Sequence, residues 1–314
     1  MTQRRLFRLL WLSIAAAVAT ISLKTAAWAL TGSVGLLSDA AESVVNLLAA
    51  LFALAALRWA LKPADEEHAY GHAKAEYFSA GVEGALILVA AAAIAITAVG
   101  RLIDPQPIED VGVGLAISAA ASAINLAVAL LLIRAGRAER SITLEADGRH
   151  LMTDVWTSVG VILGVAAVAI TGIERLDALV ALAVAANILV TGGGLVRRSA
   201  GGLMDRALAG PEQGQIEAVL ARFEREEGIR FHALRTRQAG ARAFVSLHLL
   251  VPGSWTVREG HDAAERVELA LREQLPYATV FTHLEPIEDP RSFADLALQR
   301  TDLPPGEEGP AVIP

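Results

Sequence analysis

The chain has 314 residues, of which 54% are hydrophobic and 19% charged, and its formal net charge is −7. Cysteine is absent, which removes disulfides, thiolate-ligated zinc, iron–sulfur clusters and cysteine nucleophiles and leaves nitrogen and oxygen as metal donors. An acidic balance without a basic stripe interleaved with aromatics gives nucleic acid no footing as a partner.

A helix needs about 20 mostly apolar residues to cross a bilayer. Six windows meet that need: Leu9–Leu30, Val34–Leu61, Tyr77–Ile103, Val111–Ile133, Ser141–Thr171 and Leu176–Val196. They predict a membrane all-α bundle of six transmembrane helices over residues 1–204. The first window, with Ala27-Trp28-Ala29 near its end, imitates a secretory signal peptide, but the run exceeds the roughly 7–15 residues of an h-region and is read as a retained span. Arg4, Arg5 and Arg8 precede the first span, Arg58, Lys62 and Lys74 follow the second, Arg134, Arg137 and Arg140 the fourth, and Arg197 and Arg198 the sixth. The opposite loops hold little beyond Arg101 and Arg175, so both termini are expected in the cytoplasm.

After Arg198 the apolar bias ends. Helical spacing over Pro211–Glu227, strand patterns over Ile229–Arg237 and Ala241–Pro252, a second helix over Val257–Leu275 and a strand over Thr279–Pro286 predict a small α+β domain, αββαβ, over 205–290. In the second strand His248 alternates with core-facing Val245, Leu247 and Leu249. From Arg291 on, Pro304, Pro305, Gly306, Gly309 and Pro310 predict a mostly disordered tail over 291–314.

Seven histidines are present, and each stands near a carboxylate or another histidine at a spacing that suits metal ligation. His68 and His72 accompany Asp65, His150 accompanies Asp154, and His232, His248, His261 and His283 share the soluble domain with Glu285. Two spans carry polar trios at the same offsets: Asp39, Glu42 and Asn46 in the second, and Asp147, His150 and Asp154 in the fifth. Offsets of three and four place each trio on one helix face. Glu42, Asn46, His150 and Asp154 fall well inside the bilayer at about 1.5 Å per residue, where they could form a roughly tetrahedral site for a divalent cation. Asp39 would lie outward of that site and Asp147 inward, as an access path. Ionisable residues at such depth mark ion or proton paths. Glu83 in the third span reads either as a second proton-carrying acid or as a partner for Lys24.

On these residues the chain resembles the bacterial iron/zinc branch of the cation diffusion facilitator family, metal–proton antiporters with a ferredoxin- or metallochaperone-like cytoplasmic domain. The resemblance covers roughly residues 6–290 and rests on Glu42 and Asn46 set against His150-x-x-x-Asp154, on Thr31-Gly32-Ser33-Val34, and on Gly71-His72-Ala73-Lys74-Ala75-Glu76. It implies a homodimer in the bacterial inner membrane, with divalent metal cations, protons and the bilayer as partners. It implies no enzymatic activity and no cofactor beyond the metal ions. It further implies a loop metal site at Asp65, His68 and His72, a binuclear site at His232, His248, His261, His283 and Glu285 to which the partner subunit can lend a histidine, and a charge pair, Lys74 with Asp205, at the domain junction. The family usually has His or Asp followed by Asp where Glu42 and Asn46 stand here. A carboxamide is a neutral, weaker ligand that carries no proton, so iron, manganese, cobalt, nickel and cadmium stand beside zinc as substrates.

The alternative from another class is a membrane-anchored metal sensor or scaffold without transport, and the polar residues inside the spans argue against it. An intramembrane metalloprotease lacks its His-Glu-x-x-His, and an ATP-driven pump its Gly-x-x-x-x-Gly-Lys loop.

Overall fold

The computed structural model describes residues 3–31, 34–104, 112–173 and 175–293, and some side chains within the helices, those of Asp39 and Glu42 among them, lie outside the described set. Two compact units emerge, Met1–Leu203 and Met204–Pro314.

The first unit is all helical: α1 Gln3–Thr31, α2 Val34–Ala60, α3 Ala75–Ile103, α4 Gly112–Glu139, α5 Ile142–Thr171 and α6 Arg175–Leu203. Helix α4 runs beyond the expected Ile133 because Arg134, Ala135, Arg137, Ala138 and Glu139 are strong helix formers, and the one weak former among them, Gly136, sits where a Cβ would meet the Glu145 backbone N at 2.6 Å. Helix α5 starts where the Ser141 hydroxyl accepts the Leu144 N–H at 3.4 Å, and it stops at Gly172, whose φ of 71° is left-handed. Among the described residues, four helical stretches are long and apolar enough to cross a membrane: Arg4–Ala26, Ala75–Ile103, Ala119–Glu139 and Ala178–Leu203. The described residues thus bear out four of the six expected spans. In α2 the described apolar stretch is the shorter Asn46–Ala60.

Two apolar cores organise this unit. Leu10, Ala53, Leu57, Leu132 and Leu151 bring α1, α2, α4 and α5 together, while Tyr77, Ile87, Ile142, Ala146, Ile188 and Leu195 join α3 and α6 to α5. Helix α5 thus belongs to both groups. Its N-terminal end is tied down by buried carboxylates. Glu76 of α3 accepts from the Ser141 hydroxyl at 2.5 Å and the Thr143 N–H at 3.3 Å, and Glu145 accepts from Arg149 at 2.8 Å and from Arg198 of α6 at 2.9 Å.

The second unit runs α7 Gly210–Glu227, β1 Arg230–Ala239, β2 Arg242–Val251, α8 Val257–Gln274 and β3 Ala278–Pro286. Its sheet order is β1-β2-β3, with β1 antiparallel and β3 parallel to β2. Alternate residues of β2, Ala243, Val245, Leu247, Leu249 and Val251, enter a core with Ile216, Leu220 and Phe223 of α7 and Ala263, Val267 and Leu271 of α8. The opposite face carries His248. Arg291 does not begin an unstructured tail: it lies in a 3-10 turn, Pro290–Phe293, whose Ser292 is buried and hydrogen-bonded to the Pro286 carbonyl. The remainder of the expected tail, 294–314, lies outside the described residues.

Between Asp147 and His150, helix α5 presses against α4 at Gly148. A Cβ there would stand 2.8 Å from Ile133 Cγ1, 2.9 Å from Leu132 Cβ and 3.0 Å from the Ala129 carbonyl oxygen. Overpacking of such a contact costs about 1–3 kcal/mol. Gly148→Val should therefore lower the thermal midpoint of the purified protein, whereas Gly100→Ala, where a Cβ meets nothing within 4 Å, should not. Equal midpoints for Gly148→Val and the parent would refute this close approach.

Candidate metal centres

The intramembrane group joins three helices. Asn46 of α2 donates its amide to Asp154 Oδ2, Asn125 Nδ2 of α4 donates to the same oxygen at 3.1 Å, and His150 Nε2 lies 2.7 Å from Asn46 Oδ1. All four side chains are buried. A carboxamide oxygen only accepts, so the ring proton of His150 sits on Nε2 and the lone pair on Nδ1. His150 Nδ1 and Asn125 Oδ1 are buried and without a hydrogen-bond partner among the described residues. An unmatched buried polar atom costs about 1–3 kcal/mol, and here both carry lone pairs. A cation would satisfy such atoms.

The structure thus brings Asn46, His150 and Asp154 together, as the sequence predicts, and adds Asn125. Asn125 was missed because a single Asn in an apolar helix has no polar companion at helical spacing, and its role shows only across α4 and α5. The side chains of Glu42 and Asp39 lie outside the described residues. Asp147 is buried, and it is a charged neighbour that acts on Glu83 of α3.

The loop group forms between α2 and α3. Asp65 Oδ1 accepts from the His68 backbone N–H at 2.8 Å and lies 3.2 Å from His68 Nδ1, while Asp65 Oδ2 lies 3.3 Å from His72 Nε2. The His72 Nδ1–H donates to the Pro63 carbonyl at 3.2 Å, which fixes the tautomer and turns an Nε2 lone pair toward Asp65, as in second-shell orientation of metal-binding imidazoles. The His68 backbone N–H, more than the nearby imidazoles, holds the exposed Asp65 carboxyl below its ordinary range and keeps it in the ligating, ionised form. Gly71 at φ 82° supplies the turn between the two histidines.

In the second unit sheet register makes the site. His232 pairs with His248 across β1 and β2, and His248 with His283 across β2 and β3, so three imidazoles form one row. Glu285, two residues along the same face of β3, reaches back to all of them: His232 Nε2 at 2.7 Å, His248 Nδ1 at 3.3 Å and His283 Nε2 at 3.6 Å. A β-bulge follows His232, where Ala233 takes φ 50°, and such bulges re-aim side chains beside sites. His232, His248 and Glu285 place their ligand atoms within 4.8 Å of one another. His283 sits at the exposed edge of the group, and His261, exposed on α8, stands outside it.

The residues expected at the domain junction have partners inside their own units. Lys74 Nζ donates to the Leu203 carbonyl at 3.3 Å, and Asp205 accepts from Arg237 Nη1 at 3.0 Å.

Comparison with known proteins agrees with this chemistry. Residues 10–204 match the cation efflux transmembrane domain and residues 208–287 the cytoplasmic domain of cation efflux proteins. An uncharacterized transporter of Synechocystis sp. is 52% identical over 282 residues, covering 90% of this chain and 91% of its own. Cation-efflux pumps named FieF from Serratia proteamaculans (36% over 274 residues, 87% of this chain and 90% of theirs) and Shewanella oneidensis (32% over 276 residues, 88% and 92%) are also similar. The chain belongs to the cation diffusion facilitator family. It is a multi-pass membrane protein of the divalent-cation efflux class, a transporter and not an enzyme.

Ligand binding stabilises a native site by about 2.7 kcal/mol when the ligand is at 100 times its Kd. For the second unit expressed alone, zinc should raise the melting temperature, and combined alanine substitution of His232, His248, His261 and His283 should remove most of the rise. An undiminished rise in the quadruple variant would show that these residues are not ligands.

Proposed function

We propose that the protein is a proton-coupled antiporter that exports divalent transition-metal cations from the cytoplasm. It would act as a homodimer in a bacterial inner membrane, with six spans per subunit, both termini cytoplasmic and 205–290 forming the cytoplasmic domain. The single observation that carries this reading is the buried convergence of His150, Asp154, Asn46 and Asn125 from three helices, with lone pairs left unmatched. A polar cluster of this kind inside a membrane bundle is costly unless it serves passage of an ion. It also accounts for α2 and α5 as spans, since Asn46 of one meets His150 and Asp154 of the other.

Zinc stands first among the substrates because one imidazole with carboxylates suits its N/O chemistry. The two carboxamides add neutral oxygen donors, which suit iron, manganese, cobalt, nickel or cadmium as well. Glu42, four residues before Asn46 on the same helix face, is proposed as the second carboxylate, so that two negative charges balance the ion. Metal enters only when the imidazole is neutral and the carboxylates are ionised, and protons therefore compete with it. Falling pH should weaken binding, and the proton gradient can drive exchange. The loop group and the histidine row, outside the bilayer, are proposed to bind metal in a tuning role, with His261 offered to the partner subunit's site.

Metal uptake into proteoliposomes, measured across a panel of these ions with an imposed pH difference, tests the proposal. His150→Ala and Asp154→Ala should each lower the transport rate by at least 100-fold, on the order of a lost metal ligand or its support, while the protein stays folded. Wild-type rates in either variant would contradict the intramembrane site.

Asn46 offers a sharper test, because its amide now donates to Asp154. In Asn46→Asp that donor becomes a carboxylate against a carboxylate, and the pair must share a proton until a cation arrives. Metal entry then releases one more proton. Transport should steepen with pH and the metal ranking should shift, and an unchanged ranking with lowered stability would reduce Asn46 to a structural link.

A further inference from the structure

The transport cluster does not use the two most buried acids among the described residues of the membrane unit. Glu83 of α3 is 0% exposed and Asp147 of α5 is 1% exposed. Glu83 Oε1 accepts from the Ser79 hydroxyl at 3.3 Å, yet Glu83 Oε2 and Asp147 Oδ2 have no hydrogen-bond partner among the described residues. Ser13 of α1 lies against Asp147, the helices that carry the two acids pack together through Ala80, Ile87, Ile142 and Ala146, and Asp147 acts electrostatically on Glu83. They bridge the two helix groups, since α3 packs with α6 while α5 also belongs to the group of α1, α2 and α4.

Among the described residues, the buried carboxylates flanking this pair have partners of their own. Glu76 is held by Ser141 and Thr143, Glu145 by Arg137, Arg149 and Arg198, and Asp154 by the two carboxamides. Lys24 stands eleven residues beyond Ser13 on α1, about 16 Å along the helix. The Asp39 and Glu42 side chains on α2 lie outside the described residues.

We propose that Glu83 and Asp147 form a second cation site inside the membrane, a proton-exchange site separate from the metal cluster at His150 and Asp154. Two carboxylates at this depth cannot both stay ionised without a cation between or upon them. Protein metal sites draw on three or four donors, and the groups of three or more ligands among the described residues lie elsewhere. The pair offers two carboxylates and hydroxyls alone, which suits a proton. Each unmatched oxygen, Oε2 and Oδ2, is then the place where a proton sits when the pair is loaded. A proton bound there spans the boundary between the two helix groups, so its loss or gain changes the charge that boundary must hold.

This inference rests on the transport reading, and the test separates the two. Infrared spectroscopy of the full-length protein in lipid, without metal, should show at neutral pH the carbonyl stretch of a protonated carboxyl. Glu83→Gln and Asp147→Asn, which keep the shape and remove the titrating group, should each reduce that band, and the double variant should abolish the component they share. A band equal in the double variant and the parent overturns the proposal. In proteoliposomes with zinc as the probe, each variant should lose most of the acceleration that an imposed pH difference gives the parent, and an undiminished response overturns the proposal. Equilibrium dialysis should find the same number of zinc ions per subunit in all proteins, and loss of one ion in Glu83→Gln would make the pair a metal site instead. If the parent itself moves no metal, the transport reading fails, and the infrared result still decides the acid pair.

Discussion

Within a bilayer, polar side chains have no water to fall back on, and the arrangement of α2, α4 and α5 follows from that constraint. The Asp154 carboxylate takes two amide donors, one from Asn46 and one from Asn125, and Asn46 in turn accepts the ring N–H of His150. Three helices are thereby fixed by one carboxylate. Such a network is stable without a cation but not saturated, because His150 Nδ1 and Asn125 Oδ1 keep unmatched lone pairs. A group that is organised yet incomplete can accept an ion and release it again, which a transporter requires and a permanent structural site does not.

Support for this group comes from below and beside it. Buried Glu76 and Glu145 anchor the start of α5 through Ser141, Thr143, Arg149 and Arg198, so the segment carrying Asp147, His150 and Asp154 begins from a fixed point. Gly148 then lets that segment lie against α4, where Asn125 resides. In the second unit, strand register plays the corresponding part. Parallel pairing of β2 with β3 places His283 opposite His248, and the period of two brings Glu285 back onto the same face.

Much of this was legible in the sequence because periodicity encodes it. The apolar windows matched α1 to α6 in number and order, with α1 beginning, and α4 and α6 ending, about one and a half to two turns beyond them, and the alternation in β2 correctly separated Val245, Leu247 and Leu249 from His248. The equal offsets in the two polar trios pointed to His150, Asp154 and Asn46 meeting across helices. Asn125 was not legible, since one polar residue in an apolar helix carries no period of its own. The row of His232, His248 and His283 needed strand register, which residue patterns on single strands do not fix. His261 looked equivalent to them by composition, but its place on the exposed side of α8 sets it apart. Glu83 was open between Lys24 and a proton role, and the packing of α3 on α5 sets Asp147 near enough to act on its charge.

The central claim is that a divalent cation binds inside the membrane unit at the ring of His150 and the carboxylate of Asp154. Anomalous diffraction from crystals of the full-length protein grown with cobalt or zinc tests it most directly. A peak is expected at about 2.0–2.2 Å from a His150 ring nitrogen and an Asp154 oxygen, with the Asn46 amide turned away from Asp154. Peaks confined to the loop and to the histidine row, with the Asn46–Asp154 and Asn125–Asp154 hydrogen bonds intact at saturating metal, would contradict it.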